Sequence, residues 1–104
     1  MNIKITKEGE TLTAAIDGPL DIKTAPKFSA ALEGELQDVN EVILDLAKAG
    51  YTSSAGLKVL LKTFRELAGK GGKMVLKNVN DSFYDVLKLS GFTGFLQVEM
   101  GGMI

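Results

Sequence analysis

The chain has 104 residues, 45% hydrophobic and 24% charged. That is enough for one ordinary hydrophobic core and too little for a second domain. Twelve basic side chains against thirteen acidic ones leave a net charge of -1, and no basic run is interleaved with aromatics, which argues against nucleic acid as a partner.

Cysteine and histidine are both absent. A disulfide framework, a thiolate metal site and any Ser-His-Asp or Cys-His catalytic set are thereby excluded. Carboxylates and lysines remain as acid-base groups, but a reactive serine has no usual base, so a non-enzymatic domain without cofactor or metal is expected. The opening "MNIKITKEGE" carries charges where a signal peptide needs an unbroken apolar run, and no stretch approaches the ~20 apolar residues of a membrane span. The expected location is the cytoplasm, with no membrane insertion.

In chain order, Ile3 to Lys7 alternates apolar and polar residues, Glu8-Gly9-Glu10 supplies a turn, and Leu12 to Ile16 gives a second β-type run. The pair predicts an antiparallel hairpin. After Gly18-Pro19, Thr24 is placed to cap a helix with Pro26 in its first turn and Ala25, Phe28, Ala31, Leu32 and Leu36 on its apolar face. "EVILDL" at 41 to 46 is nearly continuous in apolar residues and predicts a strand covered on both faces.

The clearest helical pattern follows, with Leu57, Leu60, Leu61, Phe64, Leu67 and Ala68 along one side and Gly69 and Gly71-Gly72 at its end. "KMVLK" at 73 to 77 predicts another strand. Ser82 and Asp85 have capping-box spacing ahead of a short helix that buries Phe83, Val86 and Leu87 and stops at Gly91. "FLQVE" at 95 to 99 can form a last strand.

The order β-β-α-β-α-β-α-β predicts an α/β fold with a mixed, mostly parallel sheet, an N-terminal antiparallel hairpin and helices packed on the sheet. One domain is expected over 1 to 100, and a flexible tail over 101 to 104.

The loop between the third strand and the longest helix carries Thr52, Ser53 and Ser54, then Ala55 and Gly56. Such loops lie at the carboxyl ends of strands, where ligands bind in open α/β sheets, and a helix start offers unpaired N–H groups and the positive end of its dipole. One hydroxyl suffices to cap the helix. Three exceed that need, and Gly56 removes a side chain that would crowd an approaching partner. From the residues alone, capping is the favoured reading and modification the alternative.

"YTSSAGLKVLL" after "VILDL" resembles the signature of STAS domains, the fold of bacterial anti-sigma factor antagonists: a strand ending in D-L, six residues, then a serine-rich turn into a helix. "GPLDIKTAPKF" at 18 to 28 is similar to the family's G-x-L-D-x-x-T-A segment, and "LKLSGF" at 87 to 92 to its L-x-x-S-G-[LF] element. "GGKMVL" at 71 to 76 stands where the family has its fourth strand.

The resemblance implies a STAS-like fold and a partner-switching role in sigma-factor-dependent transcription. Ser54 aligns with the family's phosphorylated serine. The implied partner is an anti-sigma factor that is also an ATP-binding serine kinase; it binds the unmodified domain and releases the phosphorylated one, and a serine phosphatase resets the switch. Asp21, Thr52, Ser53, Ser54, Ala55, Gly56 and Lys58 are the implied partner-binding residues, with Thr52 and Ser53 as secondary phosphorylation candidates. The free domain is expected to be a monomer.

Two departures stand out. Ser53 occupies the place of the family's usual aspartate, and the chain stops soon after its last strand, where many members have a further helix. A constitutive scaffold subunit of a transporter or signalling complex, with Ser54 only a cap, is the competing reading. A small enzyme or nucleotide binder is a third, disfavoured by the missing histidine and phosphate-binding loop.

Overall fold

The structure, a computed structural model, describes residues 2–101. Of the expected tail, positions 102 to 104 lie outside the described residues. Strands β1 (Asn2–Glu8) and β2 (Thr11–Asp17) form the antiparallel hairpin. Gly9 makes its turn at φ 60°, a conformation that side-chain-bearing residues rarely adopt. Helix α1 (Ala25–Leu32), strand β3 (Glu41–Lys48), helix α2 (Ser54–Ala68), strand β4 (Lys73–Val79), helix α3 (Asp81–Leu89), a 3₁₀ turn at Phe92–Gly94 and strand β5 (Gln97–Met100) follow.

The sheet runs β1-β2-β3-β4-β5, antiparallel in its first pair and parallel thereafter. Each parallel strand is laid beside its predecessor in the same direction. Right-handed crossovers then put every connecting helix on one face of the sheet.

Burial agrees with a two-layer fold. Leu12, Ala14 and Ile16 of β2, Val42, Leu44 and Leu46 of β3, and Met74 and Leu76 of β4 share one core with Phe28 and Leu32 of α1, Leu57, Leu60 and Leu67 of α2, and Phe83 and Leu87 of α3. Residues of the other parity in β2 and β3 are half-buried, apart from the exposed Asp17 and Ala47 at the strand ends; among them Thr13 and Ile43 are register partners. Strand β3 is therefore covered by helices on one face only, contrary to the two-sided cover expected from its apolar run. The run combines the core-facing Val42, Leu44 and Leu46 with Ile43, which is half-buried beside its register partner Val75 on the face that carries no helix.

Other expectations shift for local reasons. Helix α1 ends at Leu32, and Gly34 at φ 80° turns the chain, so Leu36 reaches the core from a loop and not from the helix. On α2 the inward stripe is Gly56, Leu57, Leu60, Thr63 and Leu67; Thr63 is tolerated because its hydroxyl donates to the Val59 carbonyl at 2.9 Å. Leu61 is half-exposed and Ala68 exposed, so both leave the expected face. Helix α3 is capped by Asn80, whose side chain accepts from the Phe83 N–H at 2.8 Å, and not by Ser82. Its end at Gly91, φ 79°, is as expected. Residues 95 and 96 precede β5, which begins at Gln97, with the Phe95 ring packed at a tilt against Phe64 and Phe92 at centroid distances of 5.0 and 5.1 Å. No helix among the described residues is long and apolar enough to cross a membrane.

Candidate functional site

At the carboxyl ends of β2 and β3 two loops run side by side. The Gly18 N–H donates to the Lys48 carbonyl, the Leu20 N–H to Tyr51, and the Ser53 N–H to Leu20, at 2.9, 2.9 and 2.8 Å. Leu20 and Thr52 thus form a parallel bridge that extends the sheet pairing beyond the strands proper. This fastening sets Leu20 against the start of α2, with Asp21 and Ile22 next along the same loop.

Gly56 makes the close approach possible. A Cβ there would lie 2.8 Å from the Leu20 Cβ and 3.1 Å from its carbonyl oxygen, and would collide with the Thr52 hydroxyl. The glycine is buried, so the crowding it relieves is internal, between helix and loop, and not at a partner's surface as the sequence had suggested. Thr52 is likewise fully buried, its hydroxyl donating to the Ser53 carbonyl at 3.1 Å. Neither a contact role nor phosphorylation is open to Thr52 in this fold, and both expectations for it are corrected.

The two remaining hydroxyls divide the work. Ser53, in extended conformation, is the helix cap: its Oγ accepts from the Ala55 N–H at 3.2 Å and its carbonyl from the Leu57 N–H at 3.1 Å. Ser54 is the first helical residue and is exposed. Its hydroxyl is not needed for the cap. Asp21, Ser53, Ala55 and Lys58 also present surface, fully or in part.

Asp21 and Thr24 form a reciprocal box one turn ahead of α1. Asp21 Oδ1 accepts from the backbone N–H groups of Lys23 and Thr24 at 2.9 and 3.0 Å, and Thr24 Oγ1 accepts from the Asp21 N–H at 2.9 Å. The Thr24 hydroxyl donates to the Pro19 carbonyl at 2.7 Å. Thr24 therefore stands at the N-cap position but makes no side-chain cap bond to α1, a correction to the expected cap. The backbone N–H of Thr24 foremost holds the Asp21 carboxyl below its ordinary value of 3.8. Asp21 builds this turn and fixes the loop that lies against α2.

Two exposed apolar side chains border the site and escaped the sequence reading: Ile22, 78% exposed, in the first loop and Tyr51, 48% exposed, in the second. Periodicity assigns burial only within helices and strands, so loop residues give no such signal. Asp45, the strand carboxylate, is held by the Ala47 N–H at 3.1 Å and the Asn78 side chain at 3.0 Å. Asn80 donates to the Ala49 carbonyl at 3.4 Å, tying the base of this loop to the next.

The chemistry available here is limited. A serine nucleophile needs an adjacent base; among the described residues no side chain hydrogen-bonds Ser54, and the sequence holds no histidine. The unreversed strand order gives no switch-point crevice of the kind that holds small ligands. What remains is an exposed hydroxyl on a rigid helix start, set in a surface with two apolar side chains.

A family model described as the STAS domain matches residues 2–100. The Bordetella bronchiseptica protein BtrV, named as an anti-sigma factor antagonist, is 29% identical over 99 residues, covering 94% of this chain and 85% of BtrV. Among solved structures, an anti-sigma factor antagonist from Mycobacterium paratuberculosis superposes with a TM-score of 0.84 at 20% identity, over 94% of this chain and 84% of that one. The Bacillus anti-sigma factor antagonist SpoIIAA has been solved unphosphorylated and phosphorylated; each form gives a TM-score of 0.73, at 18% and 20% identity, over 98% and 93% of this chain and 90% of SpoIIAA in both cases. The family model spans both loops and all five strands, and these structures share the architecture derived above: the chain belongs to the STAS domain family.

Proposed function

We propose that the protein is an anti-sigma factor antagonist that binds its anti-sigma factor through the surface around Ser54 and is switched off by phosphorylation of that serine. One observation carries the reading: Ser54 is exposed at the first position of α2 while Ser53 alone makes the cap. A hydroxyl free of structural duty at a rigid helix start is an accessible phosphoacceptor. The names of the relatives support the partner class, and the solution of SpoIIAA in two phosphorylation states supports the kind of switch.

The physics of the switch follows. Phosphoserine adds about -1.5 to -2 charges and three acceptor oxygens. At a helix N-terminus this charge suits the dipole, so the domain stays folded. The cost falls on the complex, where the dianion must leave water against a partner surface that offers it no counter-charge. Each 1.4 kcal/mol lost there weakens binding about tenfold. Ile22 and Tyr51 supply the apolar contacts that an interface of this kind needs.

The test incubates the protein with ATP and the anti-sigma factor kinase of the same organism, followed by intact-mass and peptide mapping. The expected result is one added phosphate, on Ser54, and none in Ser54→Ala. Stable binding of that kinase with no phosphate transferred would point instead to the constitutive scaffold and overturn the switch.

A further inference from the structure

We propose that the outward face of α2 is a basic stripe that docks an acidic surface of the anti-sigma factor, and that phosphate on Ser54 weakens docking by drawing Lys58 out of that stripe. This rests on Ser54 marking the partner surface, and extends it along the helix.

Ser54, Lys58, Leu61, Lys62 and Arg65 follow one another at four-, three-, one- and three-residue steps, which places them along one side of a helix. The row runs about 16 Å from the helix start. Lys58, Lys62 and Arg65 are exposed, and Leu61 is half-exposed among them. Together with Glu66 these four side chains line one shallow groove. Among the described residues none of the three cations forms a salt bridge; the pairs present are Lys7–Glu35 and Lys73–Glu41.

Three cations against the single carboxylate of Glu66 leave the groove at +2, although the chain as a whole is at -1. Glu33 of the loop after α1 shares a neighbouring groove with Lys62 and Glu66 and lowers the local sum by one. The charge is thus gathered on the face that Ser54 heads. A partner that covers it must bring carboxylates, and Leu61 offers an apolar contact between them.

A phosphate on Ser54 carries about -1.5 to -2 charges, enough to cancel the stripe. Lys58, four residues on, is the cation it reaches, since side chains at that spacing are neighbours on a helix surface. One modification therefore adds an anion at the head of the surface and removes the first cation of the stripe.

Two measurements test this. The first compares wild type with the double variant Lys62→Glu, Arg65→Glu, checked for unchanged thermal midpoint, in binding to the anti-sigma factor kinase at roughly 50 and 300 mM salt. The stripe predicts that the variant binds about tenfold or more weakly and loses most of the salt dependence. Binding within about twofold of wild type would overturn the stripe while leaving the Ser54 reading intact. If wild type itself does not bind, the Ser54 reading fails and the stripe with it. The second measurement needs no partner: phosphoserine is installed genetically at position 54 and the phosphate is titrated by ³¹P NMR. Its second ionisation should fall at lower pH in wild type than in Lys58→Gln. Identical titrations would overturn capture by Lys58.

Discussion

Replacing Gly56 by alanine sets two effects against each other, and the structure decides between them. Alanine is the better helix former by about 0.5–1 kcal/mol, so propensity alone predicts stabilisation. The new methyl group, however, would stand 2.8 Å from the Leu20 Cβ and 3.1 Å from the Leu20 carbonyl oxygen, and would collide with the buried Thr52 hydroxyl. These atoms belong to the bridge between the two loops, whose backbone bonds of 2.8 and 2.9 Å leave little slack. Overpacking of this kind typically costs about 1–3 kcal/mol. The expected balance is a net loss of about 1–2 kcal/mol, which at this chain length lowers the thermal midpoint by about 4–8 °C per kcal/mol. Equilibrium unfolding in urea, with thermal melting alongside, measures it. A Gly56→Ala protein as stable as wild type, or more so, would refute the argument that this glycine exists to let helix and loop touch.

The division of labour between the two serines predicts opposite sensitivities: Ser53→Ala should lose about 1 kcal/mol in urea unfolding through its missing cap, whereas Ser54→Ala should stay within about 0.5 kcal/mol of wild type. For Asp21 the folded carboxyl titrates below its ordinary 3.8, so its stabilising share is complete above that value and is lost as the pH falls through the lower, folded one. Asp21→Asn keeps an oxygen for the turn but does not titrate there, so the drop in urea midpoint between about pH 6 and about pH 2.5 should be smaller in the variant than in wild type.

Much of this architecture is legible in the residues because its signals are local. The alternation in Ile3 to Lys7, the spacing of Leu57, Leu60 and Leu67, and the stop at Gly91 each report on the element that contains them. The failures come where distant segments decide. The apolar run of β3 could not reveal that only one side of the sheet is covered by helices, because that depends on the direction in which strands are added. Thr52 looks like its neighbours in sequence and differs from them only through its bridge to Leu20, 32 positions earlier. Gly56 was legible as a place for close approach but not as to what approaches. Ile22 and Tyr51 lie in loops, where no period distinguishes an exposed side chain from a buried one. Ser54 itself was located by motif resemblance, and the structure adds that its neighbour already serves as the cap.

The central claim is that a dianion on Ser54 alters docking and not folding. Its most direct test is the affinity of the anti-sigma factor for the protein before and after stoichiometric phosphorylation at Ser54, measured by calorimetry at one salt concentration. The account predicts a loss of about a hundredfold, equivalent to roughly 2.7 kcal/mol. Equal affinities for the two forms would contradict it.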